Sequence, residues 1–192
     1  MNEINNQRIF KKMGRVARTI VILGFWSITQ AVASEPAVMV RAAVYFSPDG
    51  GAQDAVLSAL GNANSEILVQ AYSFTGQQIA TALVSAKNRG VNVAVILDKS
   101  QLTQKHSLAS FLIEHGVPTY IDSSHAIAHN KVIIIDRKAV ITGSYNFTKA
   151  AEHSNAENLL LLTSSDLSAN YLLNWNKHLA HSFAYVSKTQ SF

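Results

Sequence analysis

The sequence lacks cysteine, a long apolar run and, beyond its N-terminus, any excess of one charge. Without cysteine it can form neither disulfide bonds nor thiolate metal sites. The apolar stretch at residues 19–28 is well short of the roughly 18 residues typical of a membrane-spanning helix. Residues 1–33 hold five of the 16 basic and one of the 12 acidic residues, so 11 of each remain. Any phosphate-binding surface beyond residue 33 must therefore be a local patch.

The N-terminus has the three parts of a secretory signal peptide. A basic region precedes the apolar stretch, and Ala31-Val32-Ala33 supplies small residues for cleavage. We therefore expect a signal peptide over residues 1–33, cleavage before Ser34, and a periplasmic or secreted protein. An uncleaved membrane anchor and an amphipathic helix of the folded domain are the alternatives.

Beyond the leader, short apolar runs alternate with segments of helical spacing. This pattern predicts a single α/β domain over residues 34–192, with a mixed β-sheet flanked by helices on both faces. The predicted strands cover residues 41–46, 66–74, 91–98, 117–121, 129–136, 139–146 and 158–163. The predicted helices cover residues 52–61 and 77–89, a short segment around residues 108–112, and a closing helix that begins near Ser164 and includes Phe183.

Two of these stretches carry polar residues at their facing ends. His129 and Lys131 share a face of one strand, and Ser144 and Asn146 share a face of the next, because side chains two residues apart point the same way. A hairpin turning at residues 137–138 would bring all four together. Asp136 is an odd number of positions from His129, so we expect it to face away and to have a positioning role.

Such a cluster suits the chemistry of a phosphodiester. A lysine and an amide can stabilise negative charge on the non-bridging oxygens, while a neutral histidine can attack phosphorus if an acceptor holds its tautomer. Glu157, just before the next strand, is the best-placed carboxylate for that task, with Glu152 as its competitor. Taken singly, these residues could instead be solvated strand, turn or loop residues.

The spacing of these residues resembles a known signature. His129, Lys131, Asp136, Gly143, Ser144 and Asn146 match the pattern H-x-K-x4-D-x6-G-S-x-N of the phospholipase D superfamily. With YSFTG from residue 72 and GSYNFTKAAE from residue 143, the chain most resembles the short secreted bacterial endonucleases of that superfamily.

The resemblance implies a role for each residue. His129 would form a phosphohistidine, Lys131 and Asn146 would bind phosphate, and Glu157 would orient His129 with support from Ser144. Asp136 would be structural. Family members need two such motifs and this chain has one, so we expect a homodimer whose two copies share one active site.

The remaining histidines favour no metal site. His125 and His129 are four residues apart, a useful ligand spacing on a helix but not across an extended region, and no cluster of acidic residues accompanies them. His178 and His181 fit the C-terminus of the closing helix. We therefore expect neither a metal nor another cofactor.

The sequence thus predicts a metal-independent phosphodiesterase, foremost a non-specific endonuclease acting on DNA, with RNA left open as a second substrate. A phospholipase D that hydrolyses phosphatidyl esters such as phosphatidylcholine is the first alternative, because the same phosphate chemistry serves both substrates. A non-catalytic module that binds phosphate or nucleic acid is the second.

Overall fold

The computed structural model describes residues 39–187. The predicted signal peptide lies outside the described residues and stays a prediction. Between residues 39 and 187, no helix combines the length and apolarity needed to cross a membrane.

The described chain alternates strands with helices, as the sequence predicts. The strands are β1 Arg41–Ser47, β2 Glu66–Ala71, β3 Asn92–Asp98, β4 Thr119–Asp122, β5 Lys131–Ile135, β6 Ala139–Gly143, β7 Glu157–Thr163 and β8 Phe183–Ala184. The helices are α1 Ala52–Gly61, α2 Gln77–Asn88, α3 Ala109–Glu114, α4 Lys149–His153 and α5 Ser165–His181, with a 3-10 turn at Lys99–Leu102.

All eight strands form one mixed sheet in the order β1-β7-β6-β5-β2-β3-β4-β8. Strands β2, β3 and β4 run parallel, and all the other pairings in the sheet are antiparallel. The predicted mixed α/β fold is confirmed.

The core has two layers because successive strand residues point to opposite faces of the sheet. Ile67 and Val69 of β2 belong to the larger apolar cluster, which α1, α2 and α3 cover. Leu68, between them, belongs to the smaller cluster on the other face, together with the buried Trp175 of α5. Helices therefore flank both faces of the sheet, as predicted.

The predicted hairpin exists as β5 and β6, with Ile133 opposite Ile141. Its strands are shorter than predicted, because His129 lies before β5 and Ser144 lies after β6. The turn also differs by one residue from the prediction. Asp136 and Arg137 are the central residues of the turn that the Lys138 N–H closes by donating to the Ile135 oxygen at 3.0 Å, and both have positive φ, 51° and 54°, as a type I′ turn requires.

Two further predicted boundaries are wrong. Strand β2 ends at Ala71, where the chain bends, and Phe74 forms only an isolated bridge with Phe147. Phe183 is not on the closing helix, because α5 ends at His181. Phe183 pairs with Ile121 in the short edge strand β8 and is half exposed.

Candidate active site

The candidate residues lie at one end of the strands of the sheet. The pairing of Ala71 with Lys131 and of Gly143 with Leu159 places the end of β2, the start of β5, the end of β6 and the start of β7 side by side. This is the edge at which the parallel strands end. In open α/β sheets, ligands bind outside the carboxyl ends of such strands.

Lys131, the first residue of β5, carries a buried ammonium group. It is only 7% exposed, and its Nζ donates to the backbone oxygen of His129 at 3.0 Å. It also lies 5.2 Å from the centroid of the Tyr72 ring. Burial lowers the pKa of Lys131, and the charge of Glu157 acts against that shift. A buried cation with few polar partners is well suited to an anionic ligand.

His129 is exposed on the loop that enters β5. Its ring contacts the ring of Tyr72, with 4.6 Å between centroids. Among residues 39–187, no side chain makes a hydrogen bond to the imidazole nitrogens of His129, so they are accessible to a ligand.

Tyr72 is a site residue to which the sequence reasoning gave no role. Tyr72 directly follows β2, and the pairing of β2 with β5 that brings it to the site is a long-range contact that the sequence does not show. Its backbone N–H donates to the oxygen of Asn130 at 2.9 Å, which fixes it beside His129.

Asn146 completes the polar group from the far side of the hairpin. It lies between two buried aromatic residues, Tyr145 and Phe147, which anchor the loop after β6. Its Oδ1 is buried and has no hydrogen-bond partner. Buried polar atoms are normally paired, and rotation of the carboxamide can present either its oxygen or its N–H donors to a ligand.

Ser144 does not support Glu157 as the resemblance implied. Its hydroxyl accepts from the backbone N–H of Asn158 at 3.0 Å, and its own N–H donates to the Asn158 Oδ1 at 3.0 Å. Ser144 is therefore engaged with the residue after Glu157, and this pair of bonds fastens the end of β6 to the start of β7.

Glu157 and Glu152 have different surroundings. Glu152 accepts from the Tyr145 hydroxyl at 2.9 Å and from the backbone N–H of Gln53 at 3.1 Å. Burial and this bond to Glu152 raise the pKa of Tyr145. Glu157 accepts from Asn155 Nδ2 at 3.0 Å and acts electrostatically on Lys131. Glu152 is thus held by hydrogen bonds to Tyr145 and Gln53, and Glu157 is the carboxylate that interacts electrostatically with Lys131. In the described part of the chain, no hydrogen bond joins Glu157 to His129.

Asp136 lies at the opposite end of β5 from His129. Its carboxylate accepts from the backbone N–H groups of Asn64, Ser65 and Glu66 at 2.7–3.2 Å and from the Ser65 hydroxyl at 2.8 Å. Burial alone would raise the pKa of Asp136, but these bonds outweigh it and lower the pKa to about 2. The contacts are those of a residue that fixes the hairpin turn to the start of β2.

Of the two histidine pairs compared in the sequence, His178 and His181 do lie together, with 5.3 Å between their ring centroids. His125 lies against His178 and His181, and Asp122 lies among the three. The sequence shows no cluster of acidic residues beside these histidines, and the structure brings a single carboxylate, Asp122, among them. The sequence could not show that His178 and His181 join Asp122 and His125, because that contact depends on how α5 docks against β4.

Comparison with known proteins identifies the family. Residues 56–179 match the family model described as cardiolipin synthase, PLD-like domain. The chain belongs to the phospholipase D superfamily. The matched residues contain His129, Lys131, Asn146 and Glu157, so the superfamily match includes the whole candidate site.

Individual relatives carry different names. "Phospholipase D" of Rickettsia typhi is 45% identical over 130 residues, which are 68% of this chain and 64% of that protein. "Mitochondrial cardiolipin hydrolase" of Mus musculus is 32% identical over 58% of this chain and 50% of that protein. The chain thus spans less than two thirds of the length of these relatives.

A solved structure matches over its full length. The phospholipase D family member Nuc from Salmonella typhimurium has a TM-score of 0.74 and 39% identity to this chain. The match covers 78% of this chain and 100% of Nuc.

Proposed function

We propose that the protein is a metal-independent phosphodiesterase that cleaves nucleic acid through a covalent intermediate on His129. The observation that carries the proposal is the buried ammonium of Lys131, which donates to the backbone oxygen of the exposed His129. The loop after the paired strand β6 carries Asn146, whose buried Oδ1 has no hydrogen-bond partner. An anionic phosphodiester is the ligand that this charge and these donors suit.

In the proposed first step, an imidazole nitrogen of His129 attacks phosphorus. A nitrogen–phosphorus bond forms, and the bond from phosphorus to the leaving oxygen breaks. Lys131 and Asn146 bind the non-bridging oxygens, on which negative charge must be stabilised. In the second step, water attacks the phosphohistidine, which releases His129 and leaves a phosphomonoester.

The proposal needs a second acid and base. The leaving oxygen must take up a proton, and the attacking water must lose one. Within residues 39–187, no other histidine contacts the ring of His129. We propose that His129 of a second copy supplies this group across a twofold axis. Ile127, which is 57% exposed two residues from His129, is available for such a contact.

Two features support nucleic acid as the substrate. The chain resembles the short secreted endonucleases of the superfamily, and Nuc, with which it shares 39% identity, is covered over its whole length. His129 is also exposed, so a polymer substrate can reach it. The names of the Rickettsia and mouse relatives favour a lipid phosphodiester as the second candidate.

A paired assay separates the two substrates. Purified protein in excess EDTA is incubated with supercoiled plasmid and, in parallel, with vesicles of phosphatidylcholine and cardiolipin. We expect plasmid nicking by the parent and by His106→Ala, which changes an exposed histidine, and none by His129→Ala. Release of lipid headgroups without plasmid nicking would show that the substrate is a lipid and not nucleic acid. Plasmid binding without cleavage of either substrate would favour a non-catalytic module.

We also propose export to the periplasm or the medium. The basic, apolar and small-residue blocks of residues 1–33 support it. N-terminal sequencing of the protein recovered from a periplasmic extract tests this. A first residue at or near Ser34 agrees with the proposal, and an intact N-terminus in the cytoplasmic fraction contradicts it.

A further inference from the structure

A second polar cluster in the described part of the chain shares no residue with the candidate active site. We name it the histidine cluster; it consists of Asp122, His125, His178 and His181. Asp122 is the last residue of β4 and is fully buried. His178 and His181 are in the last turn of α5, and His125 is on the loop that leads from β4 towards His129.

The three imidazoles converge on one carboxylate oxygen. Asp122 Oδ2 lies 2.6 Å from His178 Nδ1, 3.1 Å from His125 Nδ1 and 3.3 Å from His181 Nε2. The other oxygen, Oδ1, accepts from the backbone N–H of Ser124 at 3.0 Å, which holds the carboxylate in this orientation. One donor atom from each of the four residues falls within 4.8 Å of every other.

Neither the protonated nor the neutral state of the three imidazoles suits this arrangement. If all three rings were protonated, three positive charges would lie with ring centroids 4.9–5.3 Å apart. If all were neutral, three N–H groups would compete for one carboxylate, of which Oδ1 already accepts from Ser124 and lies within reach of His125 alone, at 3.2 Å. A divalent cation removes both problems, because neutral imidazoles and a carboxylate can all point lone pairs at it.

Two of the separations to Asp122 already match those of a tetrahedral zinc site, and all four donor atoms lie within 4.8 Å of one another. Four ligands at the usual zinc distances lie about 3.3 Å from one another, so the separations from His125 and His181 to Asp122 need little change. The separation from His178 to Asp122 must widen.

We propose that the histidine cluster binds one zinc ion, with Asp122, His125, His178 and His181 as its four ligands. Four protein ligands leave no open position, which is typical of a structural and not a catalytic zinc site. The ion would tie the end of α5 to the loop between β4 and β5. Lys99 Nζ already donates to the His125 oxygen at 2.8 Å, and the Ala128 N–H donates to Asp98 at 2.7 Å, so that loop is held on both sides of Ile127.

This inference is independent of the proposed function, because its test needs no substrate. Protein prepared without a polyhistidine tag is stripped with EDTA, freed of chelator and titrated with zinc chloride in equilibrium dialysis. We expect one zinc per chain, and a rise in Tm of about 5–10 °C when free zinc is about 100 times Kd. Cobalt in place of zinc should give the visible absorption of a tetrahedral site.

Matched histidine variants locate the ion. His178→Ala and His181→Ala should lose the bound zinc and the Tm rise, whereas His106→Ala and His129→Ala should keep both. Far-UV circular dichroism of each variant without zinc shows whether it is folded, and Asp122→Asn provides a second test that keeps the volume of the side chain. Absence of stoichiometric zinc in the parent, or zinc binding retained by folded His178→Ala and Asp122→Asn, overturns the proposal.

Discussion

Lys131 and Asp136 stand at the two ends of β5, and their contacts differ in kind. Lys131 has one hydrogen bond, to a backbone oxygen, although it is almost fully buried. Asp136 has three backbone N–H donors and one hydroxyl donor. Lys131 has few hydrogen-bond partners and Asp136 has several. We therefore expect Lys131 to act in the reaction and Asp136 to stabilise the fold.

Replacement of Lys131 by methionine tests the first expectation. Methionine keeps most of the buried volume and removes the charge that would bind a non-bridging oxygen. Loss of one such electrostatic contact typically costs about 100- to 1,000-fold in kcat, so we expect a loss in that range without a loss of stability. Steady-state cleavage of a fluorescent oligonucleotide, with Tm measured on the same sample, checks this. Activity within a few-fold of the parent would remove Lys131 from the site.

Replacement of Asp136 by asparagine tests the second expectation. Asparagine keeps the shape but loses the charge, and hydrogen bonds to charged groups contribute about 1.5–3 kcal/mol each, so we expect a loss of about that size in the free energy of unfolding. Because the pKa is lowered in the folded state, to about 2, the parent's advantage is complete above the ordinary carboxyl pKa and disappears as pH falls towards 2.

Urea unfolding of both proteins between pH 7 and pH 2 measures this difference. The parent should be the more stable at pH 7, and the two curves should converge on acidification. A difference that stays constant with pH would show that the charge of Asp136 does not contribute.

At the scale of elements, Gly143 fixes how β6 leaves the sheet. Its φ is 145°, and a Cβ there would lie 2.3 Å from the backbone oxygen of Asn158. That oxygen accepts from the N–H groups of Ser144 and Tyr145, which begin the loop carrying Asn146. Any side chain at position 143 must therefore displace the start of that loop.

We expect Gly143→Ala to destabilise the protein by about 2 kcal/mol or more and to reduce cleavage by the folded fraction. Gly61→Ala is the matched control, because nothing lies within 4 Å of a Cβ at Gly61, at the end of α1. Thermal unfolding and oligonucleotide cleavage of both variants check the prediction. Equal effects of the two changes would contradict the role assigned to Gly143.

The sequence predicted the order of elements well, because apolar runs of period two and helical spacing are local signals. It also predicted that β5 and β6 pair as a hairpin, which brings His129 and Lys131 towards Asn146. It could not predict that Ser144 engages Asn158 or that Tyr72 lies against His129, because those contacts depend on strand register. The histidine cluster depends on the docking of a helix 56 residues away from Asp122.

At the scale of the whole molecule, the proposed shared site makes activity depend on both chains of a dimer. Equal amounts of parent and His129→Ala are unfolded together and refolded. We expect the mixture to have about one quarter of the activity of the same total amount of parent protein, because only parent–parent pairs have both histidines. Independent sites would retain about one half.

Sedimentation equilibrium on the refolded mixture shows whether the chains exchange and associate. A dimer mass with about one quarter of the activity agrees with the shared site. A monomer that keeps full activity on dilution contradicts it.

The central claim is that His129 is the nucleophile, and trapping of the phosphohistidine tests it most directly. The protein is mixed with DNA carrying radioactive phosphate, quenched within the first turnover in alkaline denaturant, which preserves phosphohistidine, and digested for peptide mapping. The account predicts label on the peptide containing His129 in the parent and no label in His129→Ala. Cleavage without covalent label, or label on a peptide lacking His129, would contradict it.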